Sequence, residues 1–305
     1  MATRTFQTTS PRGLDHELLP MRLWAKAKRR GVWDPRAIDF STDRRQWPEL
    51  TEEERDLLLR LTSLFQAGEE SVTLDLLPLI GVIAAEGRLE EEIYLTSFLW
   101  EEAKHVELFR RFLDEVAGDA SDLSRYHTPS YRTIFYDELP GAMSALAADA
   151  SPAAVARASV TYNMIVEGVL AETGYHGYQR ALERRGLLPG MLSAVKLLRG
   201  DEARHLAYGV FLLSRLACEH GEPVWAAIER RMAELLTPAM QVIQEAFAAY
   251  EVVPFDLDLE EFSRFAMTQF QKRMTRIERA RGRTLDEVLR QDEDGDEIDS
   301  GEPPS

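Results

Sequence analysis

Apolar residues return at three- and four-residue spacing through most of residues 51–282, and sustained two-residue alternation is hard to find. That is the period of helices with one buried stripe, so the chain reads as all-α. Thr51 with Glu54 forms a capping box, and Ser151 followed by Pro152 reads as an N-cap with proline at the first helical position. Around these two starts the pattern predicts helices over about 51–86, 88–117, 132–149, 152–184, 190–219, 222–250 and 258–282. Several are long enough to cross a domain, which points to a bundle. Residues 1–50 are expected to form an extended segment packing on it, 51–285 the helical domain, and 286–305 a disordered tail. From Gln291 onward that tail holds seven acidic residues and no basic one.

Charge and cysteine content narrow the function classes. A formal charge of −16, from 36 basic and 52 acidic residues, argues against nucleic acid or an anionic membrane as partner. The lone cysteine, Cys218, allows no intramolecular disulfide and no thiolate zinc site. No apolar leader opens the chain, and no uncharged apolar run reaches about 18 residues. A soluble, cytoplasmic protein without a membrane span is the expectation.

Within the predicted helices, four glutamates interrupt apolar faces. Glu69 shares its face with Phe65, Val72 and Leu76; Glu102 with Leu95, Phe98, Leu99, Val106 and Phe109. Glu167 shares its face with Val160, Met164 and Leu170; Glu202 with Val195, Leu198, Arg199 and Leu206. Glu102 and Glu202 each precede a histidine by three, in EEAKH and DEARH, and residues three apart on a helix stand about 5–6 Å apart on one side. Glu69 lies 33 residues before Glu102 and Glu167 lies 35 before Glu202, so the half-site of one Glu and one Glu-x-x-His occurs twice.

Facing halves would gather four carboxylates with His105 and His205, the inward set of a dinuclear carboxylate bundle. Two divalent cations would neutralise that set, and oxygen and nitrogen donors without thiolate suit iron or manganese. A buried carboxylate must be paired, protonated or metal-bound. Ion pairs with arginines such as Arg199 and Arg204 are therefore the competing explanation, and at this stage both stand.

The N-terminal VWDPRAIDFSTDRRQWPELTEEER, with Trp33, Asp34, Pro35, Ile38, Asp39, Asp43 and Trp47, resembles the ribonucleotide reductase small-subunit superfamily. GEESVT, EEAKH, TYNMIVEG and DEARH are similar to one branch of its ferritin-like bundles, the small-subunit-like ligand-binding oxidases. The resemblance implies an O2-dependent oxidoreductase. One metal would be held by Glu69, Glu102 and His105 and the other by Glu167, Glu202 and His205, manganese in the first site and iron in the second, with di-iron as an alternative. It also implies two-electron C–H oxidation, an ether cross-link between Tyr162 and Val72, a long-chain fatty acid bound at the metals in an apolar tunnel, and a homodimer.

Val72 shares the face of Glu69, but Tyr162 stands about 140° round the helix from Glu167, where periodicity favours Asn163. Gly168, Ala171, Gly174 and Gly177 are candidates for lining the tunnel, Tyr175 for supporting the ligands, and Asp201 for orienting His205 or a neighbour. Glu101 lies one residue round from Glu102 and is assigned no part. Four residues after His105, where the resemblance places a reductase's radical tyrosine, stands Phe109. The tail offers only Ile298 as an apolar anchor for a large subunit. A reductase small subunit with a metal oxidant and no tyrosine, an acyl-carrier desaturase and an iron-storing ferroxidase are the alternatives.

Overall fold

The computed structural model describes residues 6–291, and no strand occurs among them. In sequence order the helices are α1 (Leu19–Arg30), α2 (Ser41–Gln46), α3 (Glu52–Ala85), α4 (Leu89–Phe112), α5 (Pro129–Arg132) and α6 (Leu139–Ser144). They continue with α7 (Pro152–Ser159), α8 (Glu172–Glu183), α9 (Pro189–His220), α10 (Glu222–Phe247), α11 (Leu259–Ala280) and α12 (Leu285–Leu289). The fold is the helical bundle that the periodicity predicts. None of the described helices is long and apolar enough to cross a membrane.

The predicted caps form as read. Thr51 Oγ1 accepts from the Glu54 amide at 3.2 Å while Glu54 Oε2 accepts from the Thr51 amide at 3.0 Å, and Ser151 Oγ accepts from Ala154 N at 3.3 Å. From its cap α3 runs 34 residues, about 50 Å at the helical rise, and turns through Gly87 into α4. The left-handed φ of 73° at Gly87 is one that glycine adopts freely. The run α7–α8 and the helix α9 repeat this pairing in the second half, and α4 packs on α9 so that the two halves face each other.

Several predicted segments differ in form, and the helices expected over 88–117 and 132–149 include π-helical turns at Leu113–Ala117 and Thr133–Glu138. The continuous helix expected over 152–184 contains a π-helical stretch, Val160–Ala171, between α7 and α8. The segment 1–50 is partly helical through α1 and α2, and α1 lies against α4 and α9. Residues 285–289 form α12, which begins in a second capping box between Thr284 and Glu287 and buries Val288 against α9. The ordered bundle therefore extends beyond the boundary expected at 285, and the expected disorder of 292–305 lies outside the described residues.

A buried carboxylate from α2 explains how α9 begins at Pro189. Asp43 is fully buried, and its two carboxylate oxygens accept from Gly190 N at 2.9 Å and Met191 N at 2.7 Å. Pro189 has no amide to satisfy, so the first turn of α9 is capped from α2.

Candidate metal centre

All six candidate ligands are buried: Glu69 on α3, Glu102 and His105 on α4, Glu167 in the π stretch, and Glu202 and His205 on α9. Ligand atoms of Glu69, Glu102, His105 and Glu202 lie within 4.8 Å of one another, and so do those of Glu102, Glu167 and His205. Glu102 presents Oε2 at 3.5 Å from His105 Nδ1 and Oε1 at 3.2 Å from His205 Nδ1. Glu202 does the same, with Oε1 at 3.4 Å from His105 Nδ1 and Oε2 at 3.5 Å from His205 Nδ1. The resemblance implied one of these carboxylates for each metal; the geometry puts both between the two imidazoles, because α4 and α9 lie side by side. Glu69, 3.3 Å from His105, and Glu167, 3.7 Å from His205, close the two ends.

The far nitrogen of each imidazole is held crosswise. Asp201 Oδ2 lies 3.3 Å from His105 Nε2, and Glu101 Oε2 lies 3.0 Å from His205 Nε2. Of the two histidines that Asp201 was a candidate to orient, it contacts the one on the opposite helix, and Glu101, which was assigned no part, makes the equivalent contact with His205. A carboxylate in this position fixes the imidazole's tautomer and orientation. The signal was present in EEAKH and DEARH, where an acid directly precedes each candidate ligand glutamate. Arg204 Nη2 bonds both carboxylates, Glu101 at 2.6 Å, and Lys104 Nζ and Trp33 Nε1 reach Asp201 Oδ2 at 2.9 and 2.8 Å. Trp33 is delivered by the N-terminal segment.

These contacts decide between metal and ion pairs. Arg204, the arginine nearest the cluster in sequence, pairs with Glu101 and Asp201 and not with the inner four carboxylates. Glu102 Oε2, Glu167 Oε1 and His205 Nδ1 are buried without a hydrogen-bond partner. Burial pushes Glu69 up to about 8 and Glu167 well above the usual carboxylate range. Burial works against a charged His105, but the Glu69 carboxylate and hydrogen bonds to Asp201, Glu102 and Glu202 outweigh it and hold the imidazole well above its usual range. Burial opposes ionisation of Glu102 too, but hydrogen bonds and charge from both imidazoles hold it below the usual carboxylate range, so the cluster balances its buried charge with protons on Glu69, Glu167 and the histidines; a set of oxygens and Nδ1 atoms converging on two points fits two divalent cations in their place.

The π stretch changes which side chains meet the centre. Bonds reaching back five residues lengthen the turn, and Tyr162 comes round to the centre with its hydroxyl 3.4 Å from both Glu102 Oε1 and the Val72 carbonyl oxygen. The α-helical period misplaced it. Asn163, which that period favoured, donates Nδ2–H to Glu167 Oε2 at 3.0 Å, and Tyr175 donates its hydroxyl to Glu69 Oε1 at 2.6 Å. Both phenols are held well above their usual pKa by burial and by the nearby carboxylates, so they stay neutral donors.

A cavity of about 120 Å³ opens onto the carboxylates of Glu69, Glu102, Glu167 and Glu202 and runs outward between apolar side chains including Val72, Leu61, Phe135, Ile243 and Leu257. Ala171, Gly174 and Gly177 line it; Gly168 does not. A Cβ at Gly168 would stand 3.0 Å from Arg273 Nη1, so that glycine makes room for a guanidinium. Gly68 also lines the cavity and was missed, since one small residue on α3 gives no pattern.

A family model described as ribonucleotide reductase, small chain, matches residues 21–278. Among solved structures, an R2-like ligand-binding oxidase, a V72L variant with anaerobically reconstituted Mn/Fe cofactor, is 38% identical with a TM-score of 0.84. The match covers 90% of this protein and 98% of that one. Its G68L variant with anaerobically reconstituted Mn/Fe cofactor, also 38% identical, matches over the same shares with a TM-score of 0.85.

Proposed function

Because the chain belongs to the ribonucleotide reductase small-chain family, and within it to the R2-like ligand-binding oxidases, we propose that its centre holds one manganese and one iron and uses O2 to oxidise a ligand in the adjoining cavity. It is an oxidoreductase with a dinuclear site. Glu69, His105 and the inner oxygens of Glu102 and Glu202 would hold the first metal, manganese, and Glu167, His205 and the other oxygens of the same two carboxylates the second, iron. When bound, the pair supplies the redox equivalents for reducing O2. The residues do the rest: Tyr175 donates to Glu69 and orients it, Asp201 and Glu101 orient the imidazoles, and the apolar walls exclude water from the reacting C–H bond.

The observation that carries this reading is the cavity, polar mainly where the four carboxylates meet it. Its largely apolar lining suits a long-chain fatty acid whose carboxylate would supply an anion to the metals. Tyr162 and Val72 form the cross-link: the phenolic O–H and one aliphatic C–H bond of Val72 break, an O–C bond forms, and two electrons and two protons pass to O2. Phe109, buried against Phe65 with ring centroids 5.1 Å apart, offers no phenol and speaks against radical donation to a large subunit. Exposed Leu74 and Leu77 on α3 and Trp100 on α4 support a homodimer, and the single Cys218 supports a reducing cytoplasm.

The test is mass spectrometry of protein loaded with both metals and exposed to air. A peptide pair carrying Tyr162 and Val72, joined and lighter by two hydrogens, together with a co-extracted long-chain fatty acid, is expected. Unlinked peptides and no lipid would sink the reading.

A further inference from the structure

We infer that Arg273 on α11 is a positioning residue that fixes the π stretch, and through it the joint approach of Tyr162 and Tyr175 to the metal centre. The two tyrosines are thirteen residues apart, and on an unbroken α-helix they would lie roughly 140° apart around the axis. Yet one hydroxyl reaches Glu102 and the other Glu69. Only the lengthened turns of Val160–Ala171 bring them to one side.

Such a stretch has a cost at its exit. The Glu172 amide bonds the carbonyl of Glu167, five residues back. The return to four-residue bonding in α8 then leaves one carbonyl without an amide, and a buried carbonyl without a donor is expensive. Gly168 stands at that junction, and Arg273 Nη1 donates to its carbonyl oxygen at 2.7 Å while Nη2 pairs with Glu172 Oε2 at 2.5 Å. Both charged side chains are buried. The guanidinium packs so closely that a Cβ at Gly168 would stand 3.0 Å from it. At the other end of the stretch Arg231 Nε donates to Thr161 Oγ1 at 2.9 Å, so the π turns are gripped at both ends by guanidinium groups from α10 and α11.

This inference rests on the proposed cross-link chemistry for one readout and stands without it for the other. In metal-free Arg273→Gln, amide hydrogen exchange over 160–175 is expected to quicken at least tenfold while α3 and α4 keep their wild-type rates. In the metal-loaded, air-exposed variant, the Tyr162–Val72 cross-link yield should fall about tenfold with two metals still bound per protein molecule. Arg273→Lys, which keeps a cationic donor, should recover more than half the yield. Wild-type exchange over 160–175 overturns the inference, and so does exchange that quickens equally in every helix. If the wild-type protein forms no cross-link, the functional reading fails and exchange alone decides this one. Should Arg273→Gln not fold, Glu172→Gln, which removes the negative charge paired with the same guanidinium, replaces it under the same criteria.

Discussion

Glu101 Oε2 stands 3.0 Å from Nε2 of His205, a contact between α4 and α9 that mirrors the one between Asp201 and His105. The two are separable by substitution. Glu101→Gln is expected to weaken the metal beside His205, and Asp201→Asn the metal beside His105, each by roughly 10- to 100-fold. Competition with a chelator, followed metal by metal, measures this; equal loss of both metals in both variants would contradict the crosswise assignment.

The metal-free centre should respond to pH in the opposite sense from the loaded one. Glu69, raised from its ordinary 4.5 to about 8, keeps its proton in the fold and loses it in the unfolded state. Its contribution is therefore fully present below pH 4.5 and is lost as pH rises from there through about 8. His105 and His205, also raised, act in the same direction above their ordinary 6.5. Metal must displace these protons, so binding strengthens over the same interval. Between about pH 6 and 9 the melting temperature of metal-free protein should fall, while the upward shift on adding manganese or iron(II) grows. A pH-independent shift on metal addition would count against proton displacement.

The cavity wall has little tolerance at Gly174, where a Cβ would stand 2.6 Å from Phe65 Cζ. Retreat of Phe65 is hindered by its stacking on Tyr175 at 4.3 Å and on Phe109 at 5.1 Å, and its free side is the cavity, which a displaced ring would narrow. Gly174→Ala is expected to cost about 1–3 kcal/mol by overpacking and to weaken binding of a sixteen-carbon fatty acid probe. Chemical denaturation and titration with the probe measure the two effects; wild-type values for both would show that the ring yields freely.

The cluster of candidate ligands was legible because each carboxylate is a rare event in its local pattern: a charge on an apolar helical face, repeated at a matching interval in the other half. Glu101 was not, since its partner His205 lies on another helix and periodicity along α4 places it off the ligand face. Tyr162 was misplaced for a related reason. The π turns that swing it inward depend on buried guanidinium groups from α10 and α11, more than 60 residues further along the sequence, and nothing in TYNMIVEG announces them. The cavity follows from the same limit: Ala171 and Gly174 face it, whereas Gly168, in the same run of small residues, faces Arg273, and spacing alone cannot tell one use of a small residue from the other.

Asp43 carries a role that belongs to the fold more than to the chemistry, and substitution should separate the two. Its carboxylate is the cap of α9, accepting from both Gly190 N and Met191 N. Asp43→Ala would leave two buried donors without partners, a loss of about 1–3 kcal/mol. Asp43→Asn, which retains one acceptor oxygen, should lose less. Met191 lies ten residues before Asp201, about 15 Å along the helix, so the capping turn is remote from the ligands that α9 supplies. The unfolding midpoint is therefore expected to drop in the order wild type, Asp43→Asn, Asp43→Ala. Two metals per protein molecule should still bind at saturation in all three. Loss of metal stoichiometry in a folded Asp43→Asn protein would mean that strain at the start of α9 reaches Glu202 and His205, which a rigid helix of this length does not allow.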